Sequence, residues 1–389
     1  MKLCFVVQRC GAEVTGGAEA HCRALARRLA RRHQVEVVST CALDYRTWAN
    51  HYPPGRAEVD GLPVTRFPTE RPRDARRFAL YSDIVFRDFH TPEDELVWLE
   101  ENGPLSPALL RALPARSDVD LFVFYSYRYH TTCHGLPTVA PRAVLVPTAE
   151  DDEALRLGCF RELLRAPRGL VFLTPEERDL VQAASGDAQV PSVVVGSGVD
   201  LRPENVRPEA RARFGLPERY VVYVGRIEAA KGVDALVDYW LRLATEWPDL
   251  PLLALAGQAT IDLPAHPKLR PLGIVSDDEK AALIAGADLL LLPSALESLS
   301  ISVLEAWVLG RPVLVNAACR VLEGQCRRSQ GGLYYRGLAE FAPALRLLLD
   351  DAELRQGLGL NGQDYVRREY DWDVVESRAN DFLDGLAAR

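Results

Sequence analysis

The sequence predicts an α/β protein made of two doubly wound domains. Short apolar runs alternate with amphipathic helical stretches in two separate series. A polar, proline-containing stretch, Leu201-Arg-Pro-Glu-Asn-Val-Arg-Pro208, lies between the series and reads as a linker. The length of 389 residues exceeds what one core usually supports, and 48% hydrophobic residues suffice for two.

In the first series, Leu3 to Gln8 is a short apolar run, followed by a glycine-containing loop and a helix over Ala18 to Arg32. Val35 to Thr40, rich in β-branched residues, predicts the next strand. Leu121 to Tyr125, Ala143 to Pro147, Gly169 to Thr174 and Val193 to Val195 read as further buried strands. The aromatic and acidic segment Tyr81 to Pro114 interrupts this series and is read as a helical insertion that shapes an acceptor pocket. The second series runs strand Tyr220 to Val224, helix Val233 to Glu246, strand Leu252 to Ala256, helix Asp278 to Ala285 and strand Leu289 to Leu292. It continues with helix Leu304 to Leu309 and strand Pro312 to Val315. Ligands of such sheets bind beyond the carboxyl ends of the strands, so the expectation is two domains facing a central cleft.

Composition narrows the function classes. No apolar run approaches the roughly eighteen residues of a membrane span, and Met1-Lys-Leu-Cys-Phe-Val-Val runs straight into a strand, so a cytoplasmic protein without a signal peptide is expected. The eight cysteines contain no C-x-x-C pair, which favours reduced, buried thiols over disulfides or a zinc site. A net charge of -8 argues against a general nucleic-acid binder. Only four of the 46 basic residues are lysines, Lys2, Lys231, Lys268 and Lys280, so a lysine is the unusual choice of cation here. Arg23, Arg27, Arg28, Arg31 and Arg32 line one helix opposite Leu25 and Leu29. They are either a solvated face or a surface that rests on anionic lipid headgroups, a peripheral contact at the inner face of the membrane. Arg71, Arg73, Arg76 and Arg77 read the same way.

The chemistry concentrates at the expected ligand edge of the second series. Glu297-Ser298-Leu299-Ser300-Ile301-Ser302-Val-Leu-Glu305 joins a buried strand to a helix, and the unpaired N–H groups of a helix N-terminus suit a phosphate. Glu297 sits in the loop facing whatever the phosphate carries, and Glu305 is eight positions on, about two helical turns, within reach of the far end of a nucleotide sugar. Val224-Gly225-Arg226-Ile-Glu228-Ala-Ala-Lys231-Gly232 sets an arginine after one strand and a lysine before the next helix, both placed for a diphosphate. The alternative for Arg226 and Lys231 is a surface ion pair with Glu228, worth under about 1 kcal/mol. Three glycine loops carry weaker signals. Gly16-Gly17-Ala-Glu19 opens a helix and can hold an anion or a hydroxyl, Gly196-Ser-Gly198-Val-Asp200 is either a site loop or an interdomain turn, and Gly257-Gln258 can contact a base. None is G-x-G-x-x-G, so a nicotinamide site is not expected.

With these residues, the chain resembles the retaining glycosyltransferases of the GT-B fold, family 4 type (glycosyl transferases group 1). The resemblance rests on Gly16-Gly17-Ala-Glu19, Ser197-Gly198-Val199-Asp200, Val224-Gly225-Arg226 with Lys231-Gly232, Gly257, Pro293-Ser294 and the Glu297 to Glu305 stretch. It implies an acceptor-binding Rossmann-like domain over 1–200, a nucleotide-sugar-binding one over 201–365, and a segment 366–389 whose helix crosses back to the first domain. It further implies that Arg226 and Lys231 hold the diphosphate, Glu305 the ribose, and Glu297 with the N–H groups of Leu299 to Ser302 the sugar and phosphate. Two departures matter. Ser298 and Ser300 stand where relatives often have glycines, and Val146-Pro-Thr-Ala-Glu150-Asp151 presents Glu150 where relatives carry a histidine that contacts the transferred sugar. Either Glu150 takes that contact or His130 or His134 does, unless these two histidines are pocket-wall or surface residues. The implied reaction transfers a hexose-type sugar to a glycan, lipid-linked or small-molecule acceptor, with no cofactor and no metal. A sugar phosphorylase, a nucleotide-sugar epimerase and a non-catalytic sugar-nucleotide sensor are the competing readings.

Overall fold

Lys2–Arg9 forms β1, and Leu3 through Val7 are all buried, as a central parallel strand covered on both faces requires. The computed structural model describes residues 1–14 and 16–388 and falls into two compact units, 1–197 with the chain from 375 onward, and 198–374.

In the first unit β1 is joined by β2 (Gln34–Thr40), β3 (Gly55–Val59), β4 (Leu62–Phe67), β5 (Leu121–Tyr125), β6 (Ala143–Val146), β7 (Gly169–Phe172) and β8 (Ser192–Val194). The strand order is β3-β4-β2-β1-β5-β6-β7-β8, with every neighbour pair parallel except β3 with β4. That antiparallel hairpin, which the alternation of apolar runs did not predict, turns on Asp60 (φ 53°) and Gly61 (φ 78°), the two positive φ values of a tight turn matched to strand twist. The helices are α1 (Gly17–Leu29), α2 (Ala75–Arg87), α3 (Pro92–Asn102), α4 (Pro107–Ala112), α5 (His130–Gly135), α6 (Gly158–Arg165) and α7 (Pro175–Ser185). Helices α2 to α4 form the expected helical insertion, anchored by fully buried Trp98, whose ring meets Phe86 and Phe160 edge-on and whose Nε1 donates to Ser82 Oγ at 3.0 Å.

The second unit has six parallel strands, β9 (Tyr220–Val224), β10 (Leu252–Ala256), β11 (Leu269–Gly273), β12 (Leu290–Leu292), β13 (Val313–Asn316) and β14 (Gly332–Tyr335), in the order β11-β10-β9-β12-β13-β14. Its helices are α8 (Val233–Glu246), α9 (Asp277–Gly286), α10 (Ile301–Val308), α11 (Arg320–Ser329), α12 (Leu338–Asp350) and α13 (Ala352–Glu369). Two Rossmann-like sheets, parallel but for the β3–β4 hairpin and flanked by helices, make this a GT-B fold.

Several boundaries differ from the sequence reading. The helix expected from Leu304 starts at Ile301, because Ser300 caps it by accepting from Val303 N. Residues 366–374, expected with the returning segment, belong to the second unit, where α13 runs on to Glu369 and Tyr365 packs edge-on against Trp307. The last helix, α14 (Trp372–Ala387), groups with the first unit from Val375. There Asn380 Oδ1 meets His33 Nε2 at 2.8 Å and Asp384 meets Arg32 at 2.6 Å. Arg23 of α1 pairs with Asp60, Arg31 in the turn after it pairs with Glu376, and Leu25 and Leu29 are buried. Arg71 and Arg77 likewise bind Glu101. All eight cysteines are unbridged. No helix among the described residues is long and apolar enough to cross a membrane.

Candidate functional site

After β9 the chain passes Gly225 and Arg226, makes one 3-10 turn over Ala229–Lys231 and enters α8 through Gly232. Gly232 adopts φ +71°, and a Cβ there would stand 2.6 Å from the Pro293 carbonyl oxygen, so both its conformation and its surroundings call for glycine. The close approach lays the loop after β9 on the loop after β12. It sets Lys231 Nζ 2.8 Å from Glu297 Oε1 and 3.5 Å from the Leu296 carbonyl. Both side chains are mostly shielded, at 21% and 14% exposure. Gly257, at the end of β10, approaches equally closely: a Cβ there would lie 1.9 Å from the Gly225 carbonyl oxygen, and Ile227 N donates to Gln258 O at 2.9 Å.

Arg226 is placed differently. Its guanidinium is half exposed and lies 3.1 Å from Glu228 Oε1. Its carbonyl accepts from Tyr223 Oη at 2.7 Å, and burial, with Glu297 and Glu228 near, pushes the Tyr223 phenol above its ordinary range.

The eight positions from Glu297 to Glu305 divide between a loop and a helix instead of forming two helical turns, since α10 begins only at Ile301. Ser300 Oγ accepts from Val303 N at 3.4 Å and meets Ser302 Oγ at 3.1 Å. The N–H groups of Ile301 and Ser302 have no partner among the described residues, which leaves them open to an anion. Ser298 and Leu299 complete this loop, with Leu299 buried.

Glu305, in the second turn of α10, is 8% exposed. Its Oε1 lies 2.7 Å from Lys280 Nζ, and Lys280 also reaches Asp277 at 3.1 Å. Burial raises the Glu305 carboxyl above its usual range while Lys280 pulls it back. Burial alone would lower the Lys280 ammonium, but Glu305 and Asp277 outweigh it and the net direction is up. Lys280 was missed as a site residue, although the scarcity of lysine signalled it. Two of the four lysines pair with the two glutamates of this stretch.

The remaining expected residues belong to the first unit. Gly16 is the N-cap of α1 and Gly17 its first residue, both in the first unit. A Cβ on Gly16 would fall 2.1 Å from Glu19 Oε2, and buried Glu19 is engaged by Arg9 Nε at 2.7 Å and Gln8 Nε2 at 3.1 Å. Glu150 lies in the loop after β6. That loop is fixed from below by fully buried Glu177, whose Oε1 accepts from Ala149 N at 2.7 Å and whose Oε2 accepts from Leu173 N at 2.6 Å. Asp152, two residues after Glu150, accepts from Tyr127 Oη at 2.9 Å and Arg128 Nη1 at 2.8 Å. Glu177 and Asp152 carried no sequence signal, because Ala149, Tyr127 and Arg128, which they hold, lie more than twenty residues away in the chain. His130 and His134 stack at 4.3 Å on α5, and burial drives His130 down to about 3. Among the described residues no group of three or more His, Cys, Asp or Glu side chains is placed to hold a metal ion.

Comparison with known proteins covers both units. The family described as "Glycosyltransferase Family 4" matches residues 15–202, and "Glycosyl transferases group 1" matches residues 218–351. The chain is 29% identical over 253 residues to the alpha-D-kanosaminyltransferase of Streptomyces kanamyceticus, covering 58% of this chain and 61% of that protein. It is 27% identical over 281 residues to a D-inositol 3-phosphate glycosyltransferase of Corynebacterium aurimucosum, covering 66% of each. The chain thus spans less than two thirds of the length of these curated relatives. In fold it resembles Anabaena Alr3699/HepE in complex with UDP and glucose, at a TM-score of 0.70 and 17% identity over 99% of this chain and 100% of that one.

Proposed function

The chain belongs to the family 4, group 1 glycosyltransferases, and on that premise we propose that it moves a hexose-type sugar from a nucleotide-diphosphate sugar to an acceptor hydroxyl with retention of anomeric configuration. The carrying observation is one loop cluster at the carboxyl edge of the second sheet, where Lys231, Glu297 and the open N-terminus of α10 meet, with Glu305 one turn behind. In this reading Lys231, helped by Arg226, neutralises the diphosphate, and the N–H groups from Leu299 to Ser302, with Ser298, cradle a phosphate. Glu305 accepts from the ribose hydroxyls, Gly225 and Gly257 leave room for the nucleotide, and Glu297 accepts from sugar hydroxyls.

Glu150 contacts the transferred sugar from the first unit, and Gly16 and Gly17 offer the N-terminus of α1 to a phosphate or hydroxyl. The acceptor is a glycan, a lipid-linked sugar or a small molecule. No metal is needed, because Lys231, Arg226 and the helix N-terminus supply the positive charge. The bond from the anomeric carbon to the diphosphate oxygen breaks as the acceptor oxygen bonds the same face, and the acceptor proton passes to the leaving phosphate oxygen. The protein contributes positioning and charge stabilisation. The HepE structure holds UDP, which makes UDP-sugars the first donors to test. The test is a proton NMR spectrum of the first-formed product: the anomeric coupling of the donor sugar is expected to persist, and an inverted coupling overturns the retaining reading.

A further inference from the structure

Lys280 and Glu305 come from different helices, α9 and α10, and meet at 2.7 Å where Glu305 is almost fully buried. A carboxylate shielded to this degree tends to take up a proton, and a protonated carboxyl loses part of its capacity to accept hydrogen bonds. Lys280 Nζ meets Glu305 at Oε1. The charged groups acting on Glu305 are Lys280 and Asp277, both on α9, and α13, β12 and β13, which also pack on α10, contribute none. Lys280 itself is held between Glu305 and exposed Asp277, at 2.7 and 3.1 Å. An ammonium, unlike the guanidinium that this arginine-rich chain uses elsewhere, is a compact point charge that can neutralise one carboxylate oxygen and leave the other free.

We propose that Lys280 is a positioning residue for the nucleotide: its ammonium holds Oε1 of buried Glu305 and turns the carboxylate so that its other oxygen accepts from the ribose hydroxyls. This rests on the assignment of Glu305 to the ribose. Burial raises the Glu305 carboxyl and Lys280 pulls it back, so without Lys280 it takes up a proton more readily, and nucleotide binding must then remove that proton. The loss of affinity is therefore greatest in acid and fades as pH rises.

The test is calorimetric titration of uridine diphosphate into the full chain and into Lys280→Met at several pH values from 6 to 9. The ratio of variant to wild-type Kd is compared, which cancels protonation of the ligand. The expected ratio is at least tenfold at pH 6 and falls toward one by pH 9. Lys280→Gln, equally uncharged, replaces the methionine variant if that fails to fold, and Lys280→Arg is expected to keep the ratio independent of pH. A purely structural role would weaken binding equally at every pH, and that flat profile overturns the proposal, as does an unchanged Kd. Glu305→Gln separates the two levels of inference. If it binds uridine diphosphate as the wild type does, the ribose assignment fails and this proposal with it. If it weakens binding while Lys280→Met gives a flat profile, the proposal alone fails.

Discussion

Replacing Lys231 by alanine removes the ammonium that lies 2.8 Å from Glu297 Oε1 in a place where the two side chains are only 21% and 14% exposed. A diphosphate oxygen within about 4 Å of that ammonium gains up to ~4 kcal/mol at an effective dielectric near 20, before desolvation. Water entering the vacated space recovers part of this, but Glu297 remains and now repels the charge developing on the leaving group. A net loss of at least about 2.7 kcal/mol of transition-state stabilisation is expected, roughly a hundredfold in kcat/KM. Arg226→Ala should cost less, about tenfold, because its guanidinium is half exposed and offset by Glu228. The double variant Lys231→Ala/Glu297→Gln should bind nucleoside diphosphate more tightly than Lys231→Ala alone, since it also removes the uncompensated carboxylate. Steady-state release of nucleoside diphosphate measures the two single variants and calorimetric titration with nucleoside diphosphate the double one, with thermal melting to confirm folding. Near-wild-type turnover in Lys231→Ala refutes the assignment of this loop cluster to the diphosphate.

Glu150→Ala should lower transfer by tenfold or more while leaving the donor Kd within about twofold, a split read by kinetics and calorimetry on the same preparation; equal activity removes Glu150 from the site. Activity should survive EDTA, because Lys231, Arg226 and the α10 N-terminus supply the charge; abolition with rescue by magnesium or manganese contradicts this. Burial lowers His21 from about 6.5 to about 4 and His130 to about 3 in the fold. As pH falls the unfolded chain therefore takes these protons first, and stability is complete above pH 6.5 and lost below it. Each histidine contributes up to about 1.4 kcal/mol per pH unit in that window. Urea midpoints should fall between pH 7.5 and 5 and fall less in His21→Gln, whereas equal midpoints in the wild type count against the buried, neutral histidines.

Legibility in the sequence followed the range of the interaction. Both sheets were readable because runs such as Leu121–Tyr125 and Leu290–Leu292 are apolar on both faces. The β3–β4 hairpin carries a local signal, Asp60-Gly61, but β3 is half exposed and has no apolar run to mark it. Strand β11 was passed over for the same reason, with only Leu269 buried. In the site, Lys231 and Glu297 were legible from where they fall relative to strand ends, and the structure adds that they touch. The partners of Glu305 and of the Glu150 loop were not, because Lys280 and Glu177 reach them through tertiary packing between separate helices and loops. Glu297 to Glu305 misled in one respect. Measuring the reach from Glu297 to Glu305 as two helical turns ignored Ser300, a residue whose hydroxyl favours a cap.

Under the proposed function, the second unit binds a nucleotide sugar through Lys231, Glu297 and Glu305. Calorimetric titration of the wild type with UDP-glucose, alongside a panel of other nucleotide sugars, tests it most directly. Saturable 1:1 binding of at least one donor is expected, weakened tenfold or more in Lys231→Ala and in Glu305→Gln. Binding of no donor, or binding that both variants leave intact, contradicts it.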